Sequence, residues 1–463
     1  MDQITNLSKR AVPFPVEDPQ LIPSKRYYDE TFYRAEAEHL WPHVWQMACR
    51  LEEIPEIGDF IEYKILAHSV VVVRTKGGIK AFHNACRHRG VRLVGAPGNC
   101  KTSGFICPFH GWRWNMDGKN TFVFSREIFD EAVLDQDEIN LVPCRVELWG
   151  GCAFINFDSD APSLLDVITP VSSVMDVRNV DKMRSEWWTS TVLPVNWKLA
   201  MEAFMEGYHV MRTHPQLHEV TMPGHDSYGQ DLGHSEGHHR HMTSREMVDQ
   251  TLEHFRRLSI GMGGMIHAND VAIAEELALA ELPEDPGTAM GGWIRRVNDE
   301  ITSRARARGV PMPDLTAIAA THRASPVQYI FPHYFMLPMF GNMASYRIRP
   351  LSPETCLFEI WSLTLFPEGR EPKPPAEPAP IPHNDPGFPD IPRQDYSNLP
   401  LQQLGLHAIG FDHMRLSRKM EGLVSNYQRL IDGYLHGVAP EKLAAATQLV
   451  CGPYESPIKD LGF

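Results

Sequence analysis

The sequence predicts an α+β protein, with an all-β domain near the N-terminus and a larger C-terminal domain built on an antiparallel sheet. Three observations predict it. Short β-rich runs punctuated by glycine fill residues 43–160. Helical and strand-like stretches mix after Asp160. Two groups of metal-ligating residue types fall one in each part. At 463 residues and 43 % hydrophobic content the chain can bury two ordinary cores. The expected divisions are an N-terminal helical segment over 1–42, the β domain over 43–160 and the mixed domain over 161–463.

Taken in order, residues 25–41 place aromatics and acids at helical spacing before Trp41-Pro42, which predicts an amphipathic opening helix. Residues 61–65 and 69–74 are β-rich, and Thr75-Lys76-Gly77-Gly78 between two strands is a hairpin turn. Phe105-Ile106 and residues 152–157 continue that style. Beyond Asp160 the spacing predicts helices over 162–177, 196–213, 246–260, 270–280, 290–307 and 406–435. Strands are predicted over 186–194, 328–336, 343–350 and 355–366. Residues 367–400 are dense in proline and polar side chains and read as an extended surface excursion.

Composition narrows the function. A net charge of −14 argues against nucleic acid and anionic membrane surfaces as partners. Residues 1–14 lack the apolar core of a signal peptide, and no apolar run reaches spanning length, so a cytoplasmic protein is expected. Eight cysteines in so long a chain do not form a disulfide framework. Cys49, Cys100, Cys144, Cys152, Cys356 and Cys451 show no paired spacing and read as small buried residues. Segment 218–245 holds six histidines among glycine, serine and charges, and reads as a polar loop over a pocket rather than a metal site.

Cys86-Arg87-His88 and Cys107-Pro108-Phe109-His110 are different. Each arm offers one thiolate and one imidazole, a donor set that suits a zinc ion or a 2Fe–2S cluster with mixed ligands. Zinc fingers place both cysteines on one arm and both histidines on the other, whereas here each arm is mixed. Gly90 and Gly111 permit close backbone approach, and Trp112 and Trp114 are candidates to shield one side.

A second constellation follows Asn196-Trp197-Lys198. On a continuous helix Glu202, Glu206 and His209 share one face, at i, i+4 and i, i+3 spacing. His214 lies just beyond, where Thr213-His214-Pro215 ends or bends the helix, so the two histidines can converge. Two histidines and one carboxylate make the facial triad of a non-haem ferrous oxygenase, with open positions for O2 and water.

These motifs resemble the Rieske non-haem iron ring-hydroxylating oxygenase family, terminal oxygenase alpha subunit, over about residues 27–430. The resemblance rests on Cys86-Arg87-His88-Arg89-Gly90, on Cys107-Pro108-Phe109-His110-Gly111-Trp112, and on Glu206-Gly207-Tyr208-His209 with His214-Pro215. It implies an N-terminal Rieske all-β 2Fe–2S domain and a C-terminal helix-grip (START/SRPBCC-like) catalytic domain. It also implies that Cys86 and Cys107 bind one cluster iron, His88 and His110 the other, and that His209 and His214 bind a mononuclear Fe(2+). The third iron ligand is carried over to Asp412, whose separation from Gly422 matches the family's acid, with Glu202 and Glu421 as substitutes. Glu206, a catalytic residue by the same resemblance, bridges to a cluster histidine of the neighbouring subunit. The chain departs from many relatives in having Glu rather than Asp there, and Ala203-Phe204 where they carry an Asn nearby.

The implied activity is that of an oxidoreductase, a monooxygenase or dioxygenase that uses O2 to hydroxylate an aromatic or bulky apolar substrate, as in aromatic hydrocarbon catabolism. No Gly-rich dinucleotide fingerprint is found, so electrons come from a separate NAD(P)H reductase, directly or through a ferredoxin. The resemblance further implies a homotrimer and is compatible with an added beta subunit. An O- or N-demethylating monooxygenase is the alternative, including quaternary-ammonium substrates with Tyr329, Tyr334 or Trp293 as cage members. Arg347 and Arg349 read as salt-bridged surface residues before they read as ligands of a substrate carboxylate.

Overall fold

The computed structural model describes residues 10–214, 216–217, 242–263, 265–321, 327–453 and 457–463. The chain divides into two compact units, one over Trp41–Leu165 and one that joins the residues up to Leu40 to Asp166–Phe463. The N-terminal segment is therefore part of the larger unit. The expected opening helix is there, as Glu30–His39 capped by the Asp29 carboxylate on the amides of Thr31 and Phe32.

In the smaller unit seven antiparallel strands run in the order Gln46–Arg50, Cys152–Asn156, Pro143–Trp149, Gly78–His83, His68–Thr75, Asp59–Ile65 and Gly98–Asn99. The Val70–Val73 run is buried on both faces of this sheet, which is why it reads as continuous valine rather than as an alternation. The predicted hairpin closes with Thr75 opposite Gly78. A second sheet of Phe105–Ile106, Arg113–Trp114 and Asn120–Phe122 packs Phe105 and Trp114 into a core with Val71, Phe82, Leu93, Leu134 and Leu141. Both Cys86 and Cys107 belong to that core.

The larger unit is organised by a six-stranded antiparallel sheet, ordered Met183–Leu193, Thr355–Leu365, Asn342–Ser352, Tyr334–Met339, Gln328–Ile330 and Gly452–Pro453. The strand expected over 328–336 is split in two, because residues 331–333 turn between Ile330 and Tyr334, which are paired. Register sets Tyr346 opposite both Phe335 and Ile360, so aromatic side chains line one face. The helices Ser244–Met262, Ala268–Ala278 and Pro286–Ala307 pack on one another, the first opened by a Thr243/Glu246 capping box and closed by Gly263 at φ +61°.

The helix expected over 406–435 covers only Gly422–His436, with the short strand His413–Arg415 before it. Two further differences shape the site. The helix expected over 196–213 is broken into Trp197–Glu202 and Val210–Thr213. The break occurs because the Glu206 carboxylate accepts from the backbone amide of His209 at 3.0 Å, starting a new turn. The excursion expected over 367–400 is extended only in its first part, since a helix spans Asp390–Gly405. Pro392 sits in its first turn, where no intrahelical donor is lost. Among the described residues no helix is long and apolar enough to cross a membrane. The histidine-rich stretch 218–241 lies outside the described residues.

Candidate metal centres

In the smaller unit two loops of the same shape face one another. Cys86 donates its amide to the Val91 carbonyl at 2.8 Å, and Gly90 donates to the Cys86 carbonyl at 2.9 Å. Cys107 repeats this with Trp112 at 2.8 Å and Gly111 at 3.0 Å. Gly90 and Gly111 close the loops at φ +74° and +71°, a left-handed conformation that L side chains resist. The Asn84 side chain holds the first loop by accepting from the amides of Leu93 and Val94 and donating to the Val94 carbonyl.

These loops bring both thiols and both imidazoles together. The His88 and His110 rings lie 4.7 Å apart, and His88 stacks on buried Trp112 at 5.1 Å with only 7° between the planes. Burial holds the Cys86 thiol above its ordinary range, the adjacent Cys107 thiol adds to this, and the amides of His88 and Arg89 oppose it. His88 Nδ1 is buried with no hydrogen-bond partner. A buried orphan nitrogen beside paired thiols fits a metal cluster, which would take up that lone pair and hold the sulfurs as thiolates. Trp114 is plain core, fully buried with its indole N–H on the Ile139 carbonyl.

In the larger unit His209, His214 and Asp395 offer ligand atoms that all lie within 4.8 Å of one another. Asp395 Oδ1 is 3.2 Å from His214 Nε2 and 3.7 Å from His209 Nε2. Each ring therefore turns Nε2 inward and Nδ1 outward. His209 Nδ1 meets Glu206 Oε1 at 2.6 Å, and His214 Nδ1 meets Gln394 Oε1 at 2.7 Å. Burial works against a charged His209, but the Glu206 hydrogen bond and the charges of Glu206 and Asp395 outweigh it and raise its pKa. Three donors converging on one point, with His209 partly exposed, is the geometry of a facial triad with open positions.

The third member corrects the expectation. Asp412 is exposed in the loop before His413–Arg415, and its carbonyl accepts from the Ser24 amide. Neither substitute takes its place. Glu202 is buried with its carboxylate on the Tyr27 hydroxyl and the Gln428 amide, and Glu421 accepts from the Ser417 amide. Because of the helix break, Glu202 does not share a helical face with His209 as the unbroken spacing implied.

Aromatic rings stand next to the triad. Phe204, in the broken segment, lies 4.5 Å from Phe335 and 5.4 Å from Tyr346, and Tyr396 meets Phe358 edge-on at 5.2 Å. Burial raises the Tyr346 and Tyr396 phenols, and the nearby Asp395 charge adds to both. Trp293 is elsewhere in its unit, stacked on Phe255 with its N–H on the Ala274 carbonyl. Arg347 and Arg349 are not on the surface. Both are buried and bind Glu359, Arg347 through two contacts of 2.7 Å. That pairing holds the Glu359 carboxyl below its usual range against the effect of burial.

A family model described as ring hydroxylating alpha subunit (catalytic domain) matches residues 180–437, more than half of the chain. The chain belongs to this ring-hydroxylating alpha-subunit family. Residues 44–123 match the Rieske [2Fe–2S] domain, so both metal-binding parts of a Rieske oxygenase alpha subunit are present. The chain is 30 % identical over 200 residues to the carnitine monooxygenase oxygenase subunit of Escherichia coli (strain K12), covering 42 % of this chain and 52 % of that one. It is 34 % identical over 197 residues to the biphenyl 2,3-dioxygenase alpha subunit of Rhodococcus jostii (strain RHA1), covering 40 % and 42 %. The chain spans about half the length of the curated relatives it matches. In fold it resembles naphthalene 1,2-dioxygenase from Rhodococcus sp. bound to indole, with a TM-score of 0.59, 18 % identity and coverage of 91 % and 94 %.

Proposed function

We propose that this chain is the terminal oxygenase of a multicomponent system, which uses O2 and electrons from a separate NAD(P)H reductase to hydroxylate an aromatic or bulky apolar substrate. The observation that carries this is the convergence of His209, His214 and Asp395 beside the Phe204–Phe335–Tyr346 rings. Cys86, His88, Cys107 and His110 would hold the 2Fe–2S cluster, and His209, His214 and Asp395 the mononuclear iron. The cluster would supply electrons one at a time, and the iron would supply the position where dioxygen and substrate meet.

The chain's own side chains have separable tasks. Glu206 accepts a hydrogen bond from His209 Nδ1 with one oxygen and from the His209 amide with the other. That fixes the ring tautomer and leaves Nε2 free to ligate. Its remaining lone pairs suit a bridge to a cluster histidine of a second copy, which makes a homotrimer, with or without a beta subunit, the working assembly. The rings around Phe204 would give the site an apolar wall. A cytoplasmic location fits the need for a soluble reductase partner.

The relationship to a carnitine monooxygenase subunit favours a second reading, N-demethylation of a quaternary ammonium substrate, since the same aromatic faces attract cations. Iron and sulfide analysis with EPR of the dithionite-reduced protein tests the common core. About three irons and two sulfides per chain with a Rieske-type signal are expected from the two sites together. Zinc without a cluster signal would refute it. Turnover with arenes and with trimethylammonium compounds then separates the readings, because only demethylation releases formaldehyde.

A further inference from the structure

The geometry points to Gln394 as the positioning residue for His214, an inference that rests on the iron-site reading above. An amide oxygen can only accept, so the 2.7 Å contact from Gln394 Oε1 requires the proton on His214 Nδ1 and leaves the Nε2 lone pair facing Asp395. Gln394 is itself held. Gln216 Nε2 donates to the same oxygen at 2.8 Å, and Gln394 Nε2 donates back to Gln216 Oε1 at 3.1 Å. The Gln216 carbonyl in turn accepts from Arg257 at 2.8 Å.

This reciprocal amide pair lines a cleft of about 640 Å³ together with Arg257, Ile260, Asp390 and Ser397. Water in that cleft competes for a lone amide, and the second glutamine keeps the first one's oxygen turned toward the ring. The two histidines are thus held unequally, His209 by a carboxylate and His214 by a neutral amide. Gln394 precedes Asp395, so one turn of the helix Asp390–Gly405 supplies both a ligand and the residue that orients its neighbour.

The test is an anaerobic titration of chelator-treated protein with ferrous iron. Retained metal is measured colorimetrically, and the Rieske EPR signal checks that the fold survives. Gln394→Leu keeps the size and removes the acceptor, and it should weaken ferrous binding about 10–100-fold. Gln394→Glu restores an acceptor and should recover most of the affinity. Gln216→Leu, farther from the triad, should lose less in the same direction. Wild-type affinity in Gln394→Leu would overturn the inference. If that variant also loses the cluster signal, Gln216→Leu decides, and an unchanged affinity there is equally fatal. A wild-type protein that holds no third iron would instead sink the proposed function, which keeps the two failures apart.

Discussion

An Asp395 oxygen lies 3.2 Å and 3.7 Å from two imidazole nitrogens, and with neutral rings three lone pairs face one another, which a cation between them would balance. Substituting Asp395 by Asn should therefore empty the mononuclear site and abolish turnover while leaving the cluster spectrum intact. Asp412→Asn, on an exposed loop, should keep both the iron and the activity. Iron analysis of the two variants side by side checks this, and iron loss in Asp412→Asn alone would restore the sequence's expectation. The two Cys–His arms and the His209/His214 pair of the candidate sites stand out by spacing, since each pair lies within one short segment. Asp395 does not, because it lies in a proline-dense stretch that reads as extended. The clue was that Pro392 falls where a helix tolerates proline, three residues before the acid.

Among the elements, the longer strands were legible because they are rich in β-branched, aromatic and other apolar residues, as in the strand over Thr355–Leu365 with its Phe358, Ile360 and Trp361. The broken helix was not, since nothing in helical spacing foretells that Glu206 will cap the next turn instead of facing outward. The break leaves Glu202 at the end of Trp197–Glu202, buried among Tyr27, Gln428 and the Lys198–Glu36 pair. Burial outweighs these donors and raises the Glu202 carboxyl from its usual 4.5 to about 7. The raised value means that the folded state keeps this proton after the unfolded chain releases it. The stability it confers is full below the ordinary carboxylate value and fades as pH rises through about 7. Glu202→Gln should flatten unfolding free energy between these limits, as followed by urea titration over a pH series. A slope unchanged from wild type would show that Glu202 is not its source.

At the scale of the whole molecule, the smaller unit exposes Ile106, Phe109, Phe122, Phe124 and Ile128, with Phe109 56 % and Ile128 75 % accessible. Ile106 and Phe109 flank Cys107, and Arg113 pairs with Phe122 across the small sheet. Apolar side chains gathered beside a cluster loop suit burial against a second copy of this chain. If the proposed trimer forms, Phe109→Asp combined with Ile128→Asp should shift it to monomer in light scattering after gel filtration, with the cluster signal retained. A wild-type monomer would remove the assembly from the proposal. The domain pattern was legible at this scale from the change in character after Asp160. That the described residues up to Leu40 join the larger unit was not, because the pairing of Leu21–Pro23 with His413–Arg415 spans nearly the whole chain.

That same spread along the chain sets a timetable for biosynthesis. The two loops proposed to hold the cluster are complete by Trp112, but the core around them needs Leu134, Leu141 and the strands to Asn156, so this unit can fold once Leu165 is made, with most of the larger unit still to come. The mononuclear site has two of its three ligands by His214 but must wait for Asp395 and for the late strands of its sheet. On the proposed ligand sets, the cluster pocket can therefore form before the mononuclear site is complete.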